Sequence, residues 1–135
     1  MRIKPLAFAA AAVLLLMAGS AIAHHSFAAE YDARKPITLT GTVTKVEWMN
    51  PHIFLYVDVK DSDGKVTSWR GEGGNLSGLM RRGWRKDSLK VGDIVTIEGS
   101  LAKNGQPLVN ARTVTLADGK KLFAGSSGGD DYTER

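Results

Sequence analysis

The stretch ITLTGTVTKVEWM, residues 37–49, is rich in threonine and valine, and its apolar residues alternate with polar ones. That period of two marks a β-strand with one face turned inward. Ile37, Leu39 and Val43 share one face, and Val46 and Trp48 then take up the other phase. A change of phase inside one long strand predicts a bulge or a sharp bend, and Gly41 makes bending cheap.

Working outward, Asn50-Pro51 forms a short connection to HIFLYVDVK, residues 52–60, the second expected strand. Ile53, Leu55, Val57 and Val59 line one of its faces, with His52, Phe54, Tyr56, Asp58 and Lys60 on the other. DSDGK (61–65) reads as a hairpin turn with Asp-Gly at its tip. A third strand follows at 66–72. The period then lengthens. Asn75 is a candidate N-cap, and Leu76, Leu79, Met80 and Trp84 fall on one stripe of a short helix expected over 76–85. Two further strands are expected near 93–102 and 108–116, joined by the Asn-Gly turn of KNGQ (103–106). Three strands, a short helix, then two strands, with the first strand long and bent, predict an all-β fold with one helix. The architecture is a five-stranded Greek-key barrel of the OB-fold type over residues 37–123, with the helix closing one end.

The flanks read differently. Residues 1–23 have the form of a signal peptide. Arg2 and Lys4 precede an apolar run from Leu6 to Met17, and Ala21-Ile22-Ala23 offers small residues for cleavage. Export to the periplasm is the expectation, with a mature chain starting at His24 and no membrane span left after cleavage. Residues 24–36 read as an N-terminal arm without period, and 124–135 as a disordered tail of small and charged residues. The chain of 135 residues contains no cysteine, so neither a disulfide nor a lipid-bearing cysteine anchors it. Its formal charge of +4 includes the two cations of the leader. The mature chain would be nearly neutral, which argues against a nucleic-acid partner; a monomer is expected.

Chemistry concentrates on histidine. Of three histidines, His24 and His25 stand together at the expected mature start, and His52 follows Asn-Pro in the loop joining the first two strands. In OB-type barrels the second and third strands, with the first–second and fourth–fifth loops, commonly meet ligands. Cleavage would free the α-amine of His24, whose reference pKa is about 7.7–8.0. That amine and the His24 Nδ1 would close a chelate ring on one ion, and the His52 imidazole would complete three nitrogen donors. Such a set favours copper(II). His25 is the competing ligand. Copper is therefore the candidate cofactor, with His24, His52 and His25 as candidate metal ligands. The competing reading of the pair is an inert, exposed terminus.

The other candidate is a surface that binds a protein or a glycan, made by Trp48, Asn50, Phe54, Tyr56 and Arg70 on and beside the second and third strands. Trp69 and Trp84 read as core. Arg81, Arg82, Arg85 and Lys86 read as a solvated helix face. Glu47 and Glu72 are carboxylates on strands with no defined mutual geometry. No nucleophile-and-base arrangement is visible, so the expectation is a non-catalytic binding protein.

Taken together, HHSFAAEYD, TGTVTKVEWMNPHIFLYVDVKD, RRGW and NARTVTLADGKKLFAGSS resemble a domain-of-unknown-function family of small exported bacterial proteins. The resemblance spans nearly all of residues 24–127 and implies a small, periplasmic, OB-like protein. It carries no assigned activity. The segment GEGGNLSGL (71–79) departs most from the family's pattern.

Overall fold

A computed structural model describes residues 27–125. The expected leader (1–23), His24, His25 and residues 126–135 of the expected tail lie outside the described residues. Six strands and one short helix follow in the order β1 (Tyr31–Glu47), β2 (Phe54–Lys60), β3 (Val66–Glu72), α1 (Leu76–Arg81), β4 (Ile94–Ala102), β5 (Leu108–Leu116) and β6 (Lys121–Phe123). A short helical turn, 27–30, precedes β1.

Pairing runs β3-β2-β1-β4-β5, and β3 returns to β5 in parallel at Arg70↔Leu108, Gly71↔Val109 and Glu72↔Asn110. The Arg70 N–H donates to the Pro107 carbonyl at the same seam, at 3.0 Å. The five strands thus close into a ring-like sheet in the OB-type order predicted from the alternation. Closing the ring leaves few unpaired strand edges. β6 is an addition to the expected five, pairing β5 from Thr113↔Phe123 to Thr115↔Lys121.

β1 starts earlier than 37. Tyr31 and Asp32 pair with Ala102 and Leu101, and pairing resumes at Pro36↔Ser100. Ala33, Arg34 and Lys35 are the extra residues of a bulge, with Pro36 where its missing N–H does least harm. The bulge breaks the period of two, which is why 31–36 reads as an arm. The expected phase switch lies between Val43 and Lys45, leaving Thr44 unpaired by register. Gly41 serves instead as a point of close approach: a Cβ there would stand 2.5 Å from the Asp58 carbonyl oxygen.

Inward residues of β1, β2, β4 and β5 make one core, and Trp69 of β3 packs half-buried against it. Val43, Leu55, Val57, Val95, Ile97, Val109 and Val114 are almost completely enclosed, and no polar side chain is buried among them. α1 closes one end with Leu79. Its N-cap is Asn75, as expected, with the side-chain Oδ1 accepting from the Gly78 N–H at 2.8 Å. The helix stops at Arg81 instead of 85. Gly83 takes a positive φ of 95°, and the Gly83 and Trp84 N–H groups donate back to Met80 and Leu79 carbonyls. This turn swings Trp84 into the core, where its Nε1–H donates to the Phe123 carbonyl at 2.9 Å. Met80, expected on the apolar stripe, is exposed for the same reason. Ala124 and Gly125, expected in the tail, pack against the barrel. Ala124 is buried, and its N–H donates to the Arg112 carbonyl, while the Gly125 carbonyl accepts from Arg82.

Candidate functional site

His52 leaves the β1–β2 connection one residue before the paired part of β2. Two hydrogen bonds, Ile53 N–H to Gly74 O at 3.1 Å and Gly73 N–H to Ile53 O at 2.9 Å, extend the β2–β3 alignment past both strand ends. They set His52 beside the Glu72-Gly73 backbone. A Cβ at Gly73 would lie 2.7 Å from Ile53 Cγ1, so only glycine lets the two segments close up. The His52 Nδ1 is 2.9 Å from the Gly73 carbonyl oxygen. A carbonyl only accepts, so Nδ1 carries the proton and Nε2 keeps its lone pair in the neutral ring. That is the arrangement in which a histidine is oriented to ligate through Nε2. The side chain is 37% exposed.

Glu72 stands next to this ring. Its Oε1 is 3.4 Å from His52 Nδ1, and its Oε2 accepts the hydroxyl hydrogen of Tyr31. Tyr31 is 2% exposed. Burial, then the hydrogen bond to Glu72 and its negative charge, push the Tyr31 phenol far above its ordinary pKa. Neither residue was a candidate with a role in the sequence. Glu72 was a carboxylate without geometry, and Tyr31 was part of the aperiodic arm.

The outward face of β2 and β3 gathers the other candidates. Phe54 pairs with Glu72 and Tyr56 with Arg70 across the ladder. The Arg70 guanidinium lies over the Phe54 ring at 5.1 Å, and the Lys45 ammonium over the Tyr56 ring at 5.1 Å. Lys45 also pairs with Glu47 at 2.6 Å, and the Tyr56 hydroxyl donates to Glu47 at 3.3 Å. The pairing with Lys45 holds the Glu47 carboxyl below the ordinary range and raises Lys45. Trp48 packs half-buried against the core, as does Trp69. Asn50 is exposed, and its Oδ1 accepts from the Leu76 N–H at 3.0 Å, tying the connection to the start of α1.

A cleft of about 480 Å³ adjoins this face, lined by Ala29, Glu30, Arg70, Lys103, Asn104 and Leu108. The β4–β5 turn named in the sequence thus forms one wall, and the helical turn at 27–30 forms another. The Lys103 N–H donates to the Glu30 carbonyl at 2.8 Å and its ammonium to Ala28, holding the two walls together. Arg81, Arg82, Arg85 and Lys86, read as a solvated face, are exposed, and Arg85 also donates to the Met80 and Trp84 carbonyls that end the helix turn.

Among the described residues, no three His, Asp or Glu side chains converge as a metal-binding group. No helix among the described residues is long and apolar enough to cross a membrane. Residues 11–109 match the model of a family of unknown function, DUF6152. No curated protein matches the chain.

Proposed function

The chain belongs to that family, and we propose that it is a non-catalytic periplasmic protein that binds one copper(II) ion through the mature N-terminus and His52. Removal of residues 1–23 leaves a free amine on His24. That amine and the His24 Nδ1 chelate the ion, and His52 adds a third nitrogen through Nε2. The observation that supports this reading is the hydrogen bond from His52 Nδ1–H to the Gly73 carbonyl, which leaves Nε2 as the unprotonated nitrogen. Reach supports it as well. Tyr31 is fastened to the carboxylate next to His52, and seven residues from His24 to Tyr31 span at most about 25 Å. His24 therefore needs no long free tether to meet His52.

The test is calorimetric titration of Cu(II) into a chain of residues 24–135 with a free amino terminus. One equivalent should bind. Acetylating the amine should weaken binding as much as His24→Ala does, because both break the chelate ring. His52→Ala should weaken it by a few kcal/mol, and His25→Ala should change it little. If His25→Ala abolishes binding while His52→Ala leaves it intact, the ion sits on the terminal pair alone and the reading is wrong.

A second reading has an observation of its own. The cleft beside Arg70 and the outward Phe54 and Tyr56 suit a protein or glycan partner that stacks on aromatic rings and meets a cation. Glycan binding that is lost in Arg70→Ala and insensitive to copper would favour it.

A further inference from the structure

The cleft beside β3 is rich in donors that the fold does not consume. Arg70 lies over the Phe54 ring at 5.1 Å, and among the described residues its guanidinium makes no ion pair and no hydrogen bond. A guanidinium carries its N–H groups in its own plane as a rigid fork, so resting on a ring orients it without using those donors. The Arg70 backbone is fixed as well, by its N–H to the Pro107 carbonyl and by pairing with Leu108 across the seam. Asn104 spends its Oδ1 on the Gln106 N–H at 3.0 Å, which leaves its amide nitrogen as a donor. The Lys103 ammonium donates to the Ala28 carbonyl and keeps its other N–H groups. Glu30 is the one acid among the residues that line the cleft.

We propose that this cleft binds a small ligand bearing a carboxylate, which the Arg70 fork takes through two parallel hydrogen bonds while Lys103 and Asn104 donate from the β4–β5 turn. The inference rests on the second reading above, names the chemistry of its ligand and owes nothing to copper. A carboxylate matches the fork in shape and only accepts, so it meets what the cleft offers. The volume of about 480 Å³ is that of a small-molecule site. Arg70 and Lys103 against Glu30 leave a single positive charge, which suits a monoanion better than phosphate. Leu108 and Ala29 give the cleft an apolar side for a ligand's carbon frame. A free organic acid and an acidic sugar both carry this group.

The experiment follows amide shifts of the chain of residues 24–135 by NMR, with EDTA present, on titration with galacturonate, galactose, lactate and inorganic phosphate. Galacturonate differs from galactose by a carboxylate in place of a hydroxymethyl group. It should move the amides of Glu30, Arg70, Lys103 and Asn104, and galactose should bind at least about tenfold more weakly. Arg70→Ala should raise the galacturonate Kd about 10–100-fold. Arg70→Lys should raise it about tenfold, because lysine keeps the charge but not the fork. Glu30→Gln should tighten binding about twofold by removing a like charge, an effect that no loss of structure produces. Lys121→Ala, which removes a cation of β6 paired with Glu98, should change nothing. Lactate bound as tightly as galacturonate marks a free acid as the source, and galacturonate bound more tightly marks an acidic glycan; either supports the inference. If galactose binds as tightly as galacturonate and Arg70→Ala weakens both alike, the cleft reads the sugar frame, and the inference falls while the second reading stands. Phosphate bound more tightly than either acid, or neither acid bound at millimolar concentration, overturns the inference whatever else this face takes up.

Discussion

Replacing Tyr31 by phenylalanine removes one oxygen and leaves the ring, so its consequences can be worked through closely. At neutral pH the Glu72 carboxylate loses the donor on Oε2, in a pocket where the tyrosine is 2% exposed. A hydrogen bond to a charged acceptor contributes about 1.5–3 kcal/mol, so Tyr31→Phe should be less stable by that amount. The difference should shrink in alkali. In the unfolded chain the phenol releases its proton near pH 10, the ordinary value. In the folded chain burial, the hydrogen bond to Glu72 and that residue's charge keep it protonated well beyond this. The unfolded state then binds fewer protons than the native state, so stability falls as pH rises, by up to about 1.4 kcal/mol per pH unit for one proton. By pH 11 the wild type has lost about 1.4 kcal/mol through Tyr31 alone, a loss the phenylalanine variant does not suffer. Lysine titration affects both chains alike. Urea unfolding of the two proteins from pH 8 to pH 11 should therefore give curves that converge. A constant difference across that range would mean that the Tyr31 phenol is not held neutral in the folded state, and the buried Tyr31–Glu72 contact would be refuted with it.

Two substitutions test the ring and its plug. A Cβ at Gly99 would stand 2.0 Å from the Asn110 carbonyl oxygen, so Gly99→Ala must push β4 from β5 and should cost more than about 4 kcal/mol; Gly105→Ala, with a φ of 74° but nothing within 4 Å, should cost only about 1–2 kcal/mol. Leu79→Ala empties the inward face of α1 and should lower unfolding free energy by about 2–5 kcal/mol in the same assay.

Much of the ring is legible along the chain because strands announce themselves locally. Ile53, Leu55 and Val57 alternate with outward residues, and each reaches the core that the alternation assigns to it. Asn75 caps a helix for a reason that lies within four residues, and Gly64, Gly105 and Gly119 take the positive φ that their turns demand. The phase change after Val43 likewise reports a bulge from the sequence itself. Where the period is interrupted, that legibility ends. The three extra residues before Pro36 conceal a strand that only its pairing with Leu101 and Ala102 reveals. Gly83 conceals the end of the helix, because Trp84 keeps helical spacing while reaching the core by another path.

By itself the sequence determined the strand faces, the turns, the cap and the position of His52 on a connection, all of them consequences of contacts within a few residues. Tertiary structure alone decided what His52 and its neighbours touch. The Gly73 carbonyl that sets the imidazole tautomer lies 21 positions from it, and Glu72 meets Tyr31 across 41. No local pattern encodes such meetings. They exist because β3 closes on β5 and β1 pairs with β4 through its bulge, which carries a tyrosine from an aperiodic segment onto a carboxylate that looked like any other on a strand.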